Sequence, residues 1–565
     1  MKDKKQYRDG AKFTKKYDKG FASGICDNPL AEKGNEKMYP KYSSHGQDPS
    51  WYASNDQMLR DMATFSFSLP IGARINPIEA GATVASPGIM AIRYLPSLGL
   101  QNKTNSALAR AAQQFYTYVQ QHYTAVNSSY ESADLLAYML AVSNICTWIT
   151  IGKRAYGCMK KFSHYNKYLA KSLVNACGFN YEDLKGGQAD FRTNLNTYIE
   201  EIRRSFNIPA DLNWTKRSQF ISKNVFTDGL GKKFQMYVFQ PTHYFIFDPT
   251  ATAGSALALR VVGTQYMTRD SYFSVLETMV GALRADTDVA RMSGDILRAY
   301  GQASVLQFEL LDENYETDIL YSQEMVDQLH NADLIAADVF SPVPSAPQVD
   351  TVYFQTSTTS GVLPSSINPN QQYLMCQENG VPISIPVVYQ STTTVGTSQT
   401  QANTFTNQGH VLDLDYENPG PGEIIDGSRL MFEYSQIYSS STGYRTVGIA
   451  AGCELLIRAE IYAMSTNGEV FITNVKGTDQ FYSVPAPTDS PATTQAVILT
   501  QVWSKICPVT RFKNHFKMLF LNSSGPQNAI WDTHNFSDIS GDVVRMWNDK
   551  IWYTLFNINE SLNAR

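Results

Sequence analysis

The first residues of the chain carry side chains suited to contact with phosphate groups. Residues 2 to 21, KDKKQYRDGAKFTKKYDKGF, interleave cations with the rings of Tyr7, Phe13, Tyr17 and Phe21. Cationic side chains neutralise phosphates and aromatic rings stack on bases, so this mixture suits contact with RNA or DNA irrespective of base sequence. The predicted nucleic-acid-binding residues are Lys2, Lys4, Lys5, Arg8, Lys12, Lys15, Lys16 and Lys19.

A solvated tail that aids solubility is the alternative interpretation of this segment, and lysine-rich tails are common. The whole chain has a formal net charge of -5, so attraction to nucleic acid must be local to the segment. Residues 24 to 50 continue with Gly, Pro, Asn, Lys and Tyr and show no periodicity. We therefore predict that residues 1–50 form a disordered basic arm whose partner is RNA.

The sequence shows no recognisable motif for catalysis or metal binding. In the DGLGKK stretch, Phe226 stands where a phosphate loop needs its first glycine, and Lys233 stands where it needs Ser or Thr. The stretch is better interpreted as a turn. The eight histidines lack metal-ligand spacing, and Cys376 has no identifiable base beside it. We expect no enzyme activity, no cofactor and no metal site.

The cysteines and the hydropathy of the sequence indicate the redox compartment of the protein and whether it spans a membrane. The seven cysteines form no CxxC pair, and no signal-like apolar run lies near Met1, which is typical of a reducing compartment and buried thiols. The most apolar stretch, Leu135 to Ile151, is interrupted by Ser143, Asn144 and Thr147 and is shorter than the roughly 20 residues that span a bilayer. We expect no stable membrane insertion.

Residues 51 to about 340 carry mainly helical periodicity. The stretch from Leu135 to Ile151 is apolar on nearly all sides, as a helix at the centre of a helical layer would be. Other segments repeat apolar residues every three or four positions and predict amphipathic helices. The predicted starts are Ser106, Asp190, Asp270 and Asp286, with ends near Pro209 and at Gly301. A large, mainly α-helical domain follows.

Composition changes at FSPVPSAPQVD, after which Ser, Thr, Gln, Asn and Gly become abundant. The CELLIRAEIYAM stretch alternates, with Leu455 and Ile457 facing one way and Glu454 and Glu460 the other, and Asn467-Gly468 forms a tight turn into EVFITN. This pattern predicts a hairpin within a β-rich domain that has a polar, exposed surface.

The C-terminal segment returns to helical spacing. Val544, Trp547, Ile551 and Leu555 recur at three- and four-residue steps, with Asp542 as the predicted cap. The aromatic content of this C-terminal segment predicts that it docks on the α-helical domain. The predicted fold is α+β, divided into an arm at 1–50, a mainly α-helical shell domain at 51–340, a β-rich projecting domain at 341–500 and a docking segment at 501–565.

These features together favour a self-assembling container over a catalyst. A basic arm would point inward to nucleic acid, the α-helical layer would form a shell, and the β-rich domain would project outward. The chain contains 33 tyrosines, and tyrosine is enriched at protein interfaces because its ring buries area at low entropic cost.

Several stretches resemble the capsid proteins of picobirnaviruses, a family of double-stranded RNA viruses. The similar stretches, spread over about the first three fifths of the chain, are DPSWYASN, FSLPIG, GFNYEDL with ADFR, KKFQMYVFQP, ARMSGDILRAYG and LLDENYETDILYSQEMVDQLHNA. The resemblance implies homodimers that assemble into an icosahedral shell around the RNA genome, a projecting domain at the dimer contacts, and an arm exposed to the RNA. It also implies location in the virion, synthesis in the host cytoplasm and a viral polymerase enclosed with the genome.

Two other classes of protein remain open from the residues alone. An RNA-associated enzyme or polymerase accessory factor would also carry a basic arm, although phosphate and metal motifs are missing. A surface adhesin would explain the Thr- and Ser-rich β domain, but the unpaired cysteines and the missing leader count against it.

Overall fold

The structure is a computed structural model. It describes residues 55–64, 74–75, 84–85, 88–98, 107–122, 130–161, 168–229, 234–248, 256–262, 266–332, 350–355, 373–375, 410–439, 443–464, 470–475, 517–522, 525–530 and 535–557. The helices are α1 Asp56–Ala63, α2 Ala107–Gln121, α3 Ser132–Met159, α4 Leu169–Ala176, α5 Tyr181–Gly186, α6 Gln188–Ser205, α7 Asn213–Lys223, α8 Arg269–Arg284, α9 Thr287–Tyr300, α10 Gln323–His330, α11 Pro421–Gly427 and α12 Gly541–Leu555. The strands are β1 Arg74–Ile75, β2 Val84–Ala85, β3 Ile89–Pro96, β4 Val225–Thr227, β5 Met236–Pro241, β6 His243–Asp248, β7 Ala256–Val261, β8 Ile319–Tyr321, β9 Asp350–Gln355, β10 Tyr373–Met375, β11 His410–Leu414, β12 Phe432–Ser439, β13 Gly443–Ala450, β14 Glu454–Met464, β15 Val470–Val475, β16 Lys517–Asn522, β17 Gly525–Ile530 and β18 Asn535–Ile539.

Helix α3 is the centre of the core. Its 28 residues are apolar on nearly every side, and almost all of its side chains are buried. By length and composition it could cross a bilayer, but 94% of its most apolar window is buried inside the protein. Helices α2, α4, α6, α7, α8 and α9 and strand β6 lie around it. The predicted central helix is therefore confirmed.

A six-stranded mixed sheet lies beside these helices, with strand order β15-β14-β3-β5-β4-β8. The pair β3 and β5 is parallel, while β14 is antiparallel to β3. Strands β3 and β5, with sequences IMAIRYLP and MYVFQP, are buried on both faces. Because such strands show no alternation of polar and apolar residues, the sequence prediction for this region contained only helices.

The predicted amphipathic helices are present with small shifts at their ends. Helix α9 begins where predicted, because the Asp286 carboxylate accepts a hydrogen bond from the backbone N–H of Asp288, and it ends at Gly301 with a positive φ of 77°. Helix α8 begins at Arg269, one residue before the predicted start at Asp270, and the N-cap of α6 is Gly187, three residues before the predicted cap Asp190.

The predicted hairpin is confirmed, with β14 antiparallel to β15. Both faces of β14 are buried where its side chains are described, so Glu454 and Glu460 lie in the interior and not on a polar surface. Through β3, the hairpin joins the sheet of the 51–340 region. A second sheet of order β10-β9-β7-β6 likewise pairs residues 350–355 with residues 256–261.

Helix α12 packs against helices α2 and α7 and strands β12 and β13. The Trp552 ring stacks on Trp214 of α7 with centroids 5.4 Å apart. The amide of Asn213 donates a hydrogen bond to the Thr554 carbonyl at 2.9 Å. The predicted C-terminal helix is confirmed, although its N-cap is Ser540 and Asp542 lies in its first turn.

Candidate assembly surface

The residues predicted to bind nucleic acid are not among those that the structure describes. Lys2, Lys4, Lys5, Arg8, Lys12, Lys15, Lys16 and Lys19 all precede residue 55, where the description begins. Their role stays a prediction from charge and aromatic spacing. The first described element that follows them is α1.

Helix α1 is specified by its own local sequence. The Asn55 side chain accepts hydrogen bonds from the backbone N–H groups of Gln57 at 2.9 Å and Met58 at 3.1 Å. Asp56 lies in the first turn and Arg60 in the last, so both charges complement the helix dipole. These features define where the helix begins and ends, but they provide no tertiary packing.

The apolar face of α1 is exposed. Met58, Leu59 and Met62 lie on one side of the helix and are 37%, 45% and 58% exposed. No residue of α1 is buried. A helix of eight residues is marginal in water unless an apolar face is packed. Such an exposed face is a candidate surface for contact with another molecule or copy.

The polar face of α6 offers two open grooves, but its charges are already paired. One groove, of about 690 Å³, is lined by Arg192, Glu200 and Arg204, and the other, of about 600 Å³, by Glu277 and Arg284. Within them, Arg204 contacts Glu200 at 3.6 Å and Arg284 contacts Glu277 at 2.9 Å. Paired charges of both signs give little net field, so this surface is a poor match for a polyanion.

An enclosed cavity of about 20 Å³ beside α3 is large enough for about one water molecule and too small for a substrate. Asn144, Trp148, His243 and Glu454 are among its lining residues. Burial lowers the pKa of His243 to about 4, so the imidazole is neutral at physiological pH. Its Nδ1 atom lies 2.9 Å from the Thr242 hydroxyl.

Two buried ion pairs connect β14 to the rest of the fold. Arg93 Nε on β3 lies 3.1 Å from Glu460, and Arg217 Nε on α7 lies 3.2 Å from Glu454. Burial alone would lower the pKa of Arg93, but Tyr462 and Glu460 more than offset it, so the guanidinium stays charged. These charges are completely partnered inside the protein, which is typical of a structural role.

The described residues bring no set of metal ligands together. No cluster of three His, Cys, Asp or Glu side chains there could hold a metal ion. Cys376 lies just outside the described strand β10. In the DGLGKK stretch, Asp228 and Gly229 follow strand β4, and residues 230–233 lie outside the described residues, so its interpretation as a turn stays a prediction.

Sequence reasoning missed the α1 surface and the buried charges. The signal for α1 was present, because Asn55 precedes DQMLRDMA and forms an N-cap before an amphipathic pattern. The signal for the ion pairs was ambiguous. Alternating glutamates in a strand usually face solvent, and only the position of Arg93 on a neighbouring strand places Glu460 inside.

Comparisons with known proteins agree with the resemblance seen in the sequence. The sequence model of the family described as picobirnavirus, capsid protein, matches residues 51–348. A capsid protein precursor of a human picobirnavirus (strain Human/Thailand/Hy005102/-) is 26% identical over 350 residues. That match covers 59% of this chain and 61% of the relative, so it spans less than two thirds of the relative's length.

A solved structure has the same fold. The X-ray structure of a picobirnavirus capsid superimposes with a TM-score of 0.66, at 18% sequence identity, over 92% of this chain and 99% of that chain. At this level of identity the likeness establishes the fold, and it confirms the predicted α+β class.

Proposed function

The chain belongs to the picobirnavirus capsid protein family and is a structural protein of the virion, and on that premise we propose that it assembles as homodimers into a closed icosahedral shell. The shell encloses a double-stranded RNA genome, with the viral polymerase as a further enclosed partner and host cytoplasm as the place of synthesis. The observation that supports self-assembly of this chain is the exposed apolar face of α1 in the single subunit.

We propose that residues 1–50 bind the packaged RNA on the inner face of the shell. The eight lysine and arginine side chains between Lys2 and Lys19 support this, as do the aromatic rings among them. The paired charges on α6 support it indirectly, because that surface has little net charge to offer RNA.

We further propose a shell domain near residues 51–340, a projecting domain near 341–500 and a C-terminal segment that docks on the shell domain. The stacking of Trp552 on Trp214 supports the docking. Within this division, β14 and β15 complete the sheet of the shell domain, so the projecting part is an excursion that leaves and rejoins that sheet.

Electron microscopy of the purified recombinant protein, combined with its ultraviolet absorbance ratio and nuclease protection, tests both assembly and RNA content. We expect closed, uniform shells that contain nuclease-protected RNA. A monodisperse monomer or small oligomer free of nucleic acid across the salt and pH conditions tried would contradict the proposal. Turnover of nucleotides or RNA would instead favour the enzyme alternative.

The arm is tested separately with a variant that changes all eight cations to glutamine and with a deletion of residues 1 to 41. We expect shells that retain little RNA. For every phosphate that a variant no longer neutralises, the slope of log K against log salt should become shallower by about 0.9, as for a B-form duplex. A matched control changes exposed cations elsewhere, such as Lys185 and Lys223, to glutamine. If the arm variants package RNA as well as the control does, the arm is only a solvated tail.

A further inference from the structure

Arg154 is a buried cation on α3 that has no carboxylate partner among the described residues. Its side chain is completely buried. The guanidinium donates hydrogen bonds to the carbonyl oxygens of Ile221 at 3.3 Å and Phe239 at 2.8 Å, and to the Gln240 amide oxygen at 3.2 Å. Its Nε–H has no hydrogen-bond partner.

Two other arginines of the described core, the buried Arg93 and the half-buried Arg217, show what is missing at this position. Arg93 has Glu460 and Arg217 has Glu454 as counter-ions. Neutral hydrogen-bond acceptors satisfy the donors of Arg154 but do not balance its charge, and an uncompensated charge in a protein interior is strongly destabilising. A negative group is therefore expected next to Arg154.

Two thiols lie close to Arg154, because Cys158 follows it by one turn of α3 and Cys177 precedes Gly178, whose backbone lies against the Gln240 amide that Arg154 contacts. Cys177, the C-cap of α4, and Cys158, near the end of α3, are both completely buried, with their Sγ atoms 3.9 Å apart. Burial raises the pKa of Cys177, but the hydrogen bond from Cys158 and the charge of Arg154 outweigh burial and lower it below its ordinary value. The same hydrogen bond and burial raise the pKa of Cys158 well above its ordinary value.

We propose that Cys177 is the thiolate counter-ion of Arg154 and that Cys158 and Cys177 form a reversible modification site, which a peroxide oxidises to a disulfide. The two groups divide the chemistry between them. Cys177 is the nucleophile, because its charge is balanced by the guanidinium. Cys158 retains its proton, hydrogen-bonds to the thiolate and resolves the oxidised intermediate.

The oxidation balances with the peroxide as the only co-reactant. The Cys177 thiolate attacks one peroxide oxygen, the O–O bond breaks and hydroxide leaves, which produces a sulfenic acid. The Cys158 sulfur then attacks the Cys177 sulfur, an S–S bond forms and the S–O bond breaks. The departing hydroxide takes the Cys158 proton and leaves as water, while the hydroxide released in the first step takes a proton from solvent. Hydrogen peroxide, one thiolate, one thiol and one proton thus yield one disulfide and two waters.

The local backbone suits the small movement that bond formation requires. The sulfurs must approach from 3.9 Å to about 2 Å. Cys158 is one residue from the end of α3, and Cys177 immediately precedes Gly178, whose φ is 83°. Since both thiols lie at helix ends, a side-chain rotation with a small backbone shift closes the gap without moving a complete helix.

Peroxide treatment of the full-length protein tests this proposal without requiring that shells form. After oxidation the protein is unfolded, its remaining thiols are alkylated, and its peptides are mapped by mass spectrometry without reductant. We expect a linked peptide pair joining Cys158 to Cys177 that a dithiol reductant separates. Cys146 is the internal control, because it is buried on the same helix and burial raises its pKa.

A Cys158→Ser variant should stop the reaction at the sulfenic acid on Cys177, which a cyclic dione traps covalently. If Cys158 and Cys177 stay reduced in the wild-type protein, or are oxidised no faster than Cys146, the proposal is wrong. The peptide mapping of the oxidised wild-type protein decides the question. The proposal can therefore be refuted even if the Cys158→Ser variant fails to fold. Either result leaves the capsid function untouched.

Discussion

Helices α3 and α1 both carry methionine and leucine side chains, but α3 is buried and α1 is exposed. Helix α3 is covered by its neighbours over almost its whole length, and its Trp148 ring stacks on Tyr272 at 5.6 Å. Helix α1 has a well-formed N-cap and no buried residue. The apolar surface of α3 is therefore buried within one subunit, whereas that of α1 is left exposed by the described residues.

The contrast separates the stability of the single subunit from the association between subunits. Changes in the core around α3 should lower the free energy of unfolding of the single subunit. Changes on α1 should leave that free energy almost unaltered and act on association between subunits. The variants below test this separation, ordered by their expected effect on the stability of the subunit.

Replacing Trp148 with alanine should have the largest effect. The ring is almost completely buried, and its Nε1–H donates a hydrogen bond to the Tyr272 carbonyl at 3.3 Å. We expect a loss in the upper part of the range of about 3–5 kcal/mol for Phe or Trp to alanine. Chemical denaturation measures it. Tyr118→Ala, on the exposed side of α2, is the control, and a similar loss in both variants would contradict the assignment of the core to α3.

Replacing Glu460 with glutamine should follow closely. The change leaves Arg93 charged and buried, although the Tyr462 hydroxyl still accepts a hydrogen bond from it at 3.0 Å. We expect a loss in the lower part of the range of about 3–5 kcal/mol for breaking a buried ion pair. The double variant Arg93→Met with Glu460→Leu should recover most of this loss. If the double variant is as unstable as the single one, packing and not charge explains the effect.

Lowering the pH should destabilise the subunit through His243. Because the pKa is lowered to about 4 in the folded state, the unfolded state binds the proton more tightly. The stability from this group is complete above its ordinary pKa of about 6.5 and is lost as the pH falls toward 4. At about pH 5 the loss is about 2 kcal/mol. His243→Asn should flatten the pH dependence, and an unchanged slope would exclude His243 as its source.

The triple variant Met58→Ser, Leu59→Ser and Met62→Ser should have the smallest effect on the subunit. We expect a change within about 0.5 kcal/mol in unfolding, together with impaired particle assembly in light scattering and electron microscopy. The matched control is Leu310→Ser, Ile425→Ser and Met546→Ser, three exposed apolar residues at scattered positions. Normal assembly of the α1 variant would remove α1 from the interface.

The sequence predicted those parts of the fold in which one face of an element is apolar or a cap is explicit. Helix α9, between Asp286 and Gly301, and the β14–β15 hairpin are examples. The sequence did not predict strands β3 and β5, because strands buried on both faces show no alternation of polar and apolar residues. The α1 surface was missed for a different reason. A sequence shows that a face is apolar, but only the fold shows that nothing in the described chain covers it.

The pairing of β14 with β3 also determines when this protein can fold. Arg93 and Glu460 are 367 residues apart, so the ribosome needs roughly 20–70 s to add the residues between them. During that time β3 lacks its neighbour on one side. The central sheet is completed only when most of the chain has been made, and contacts this distant in sequence form slowly. A nascent subunit therefore cannot complete this sheet until its translation is nearly finished.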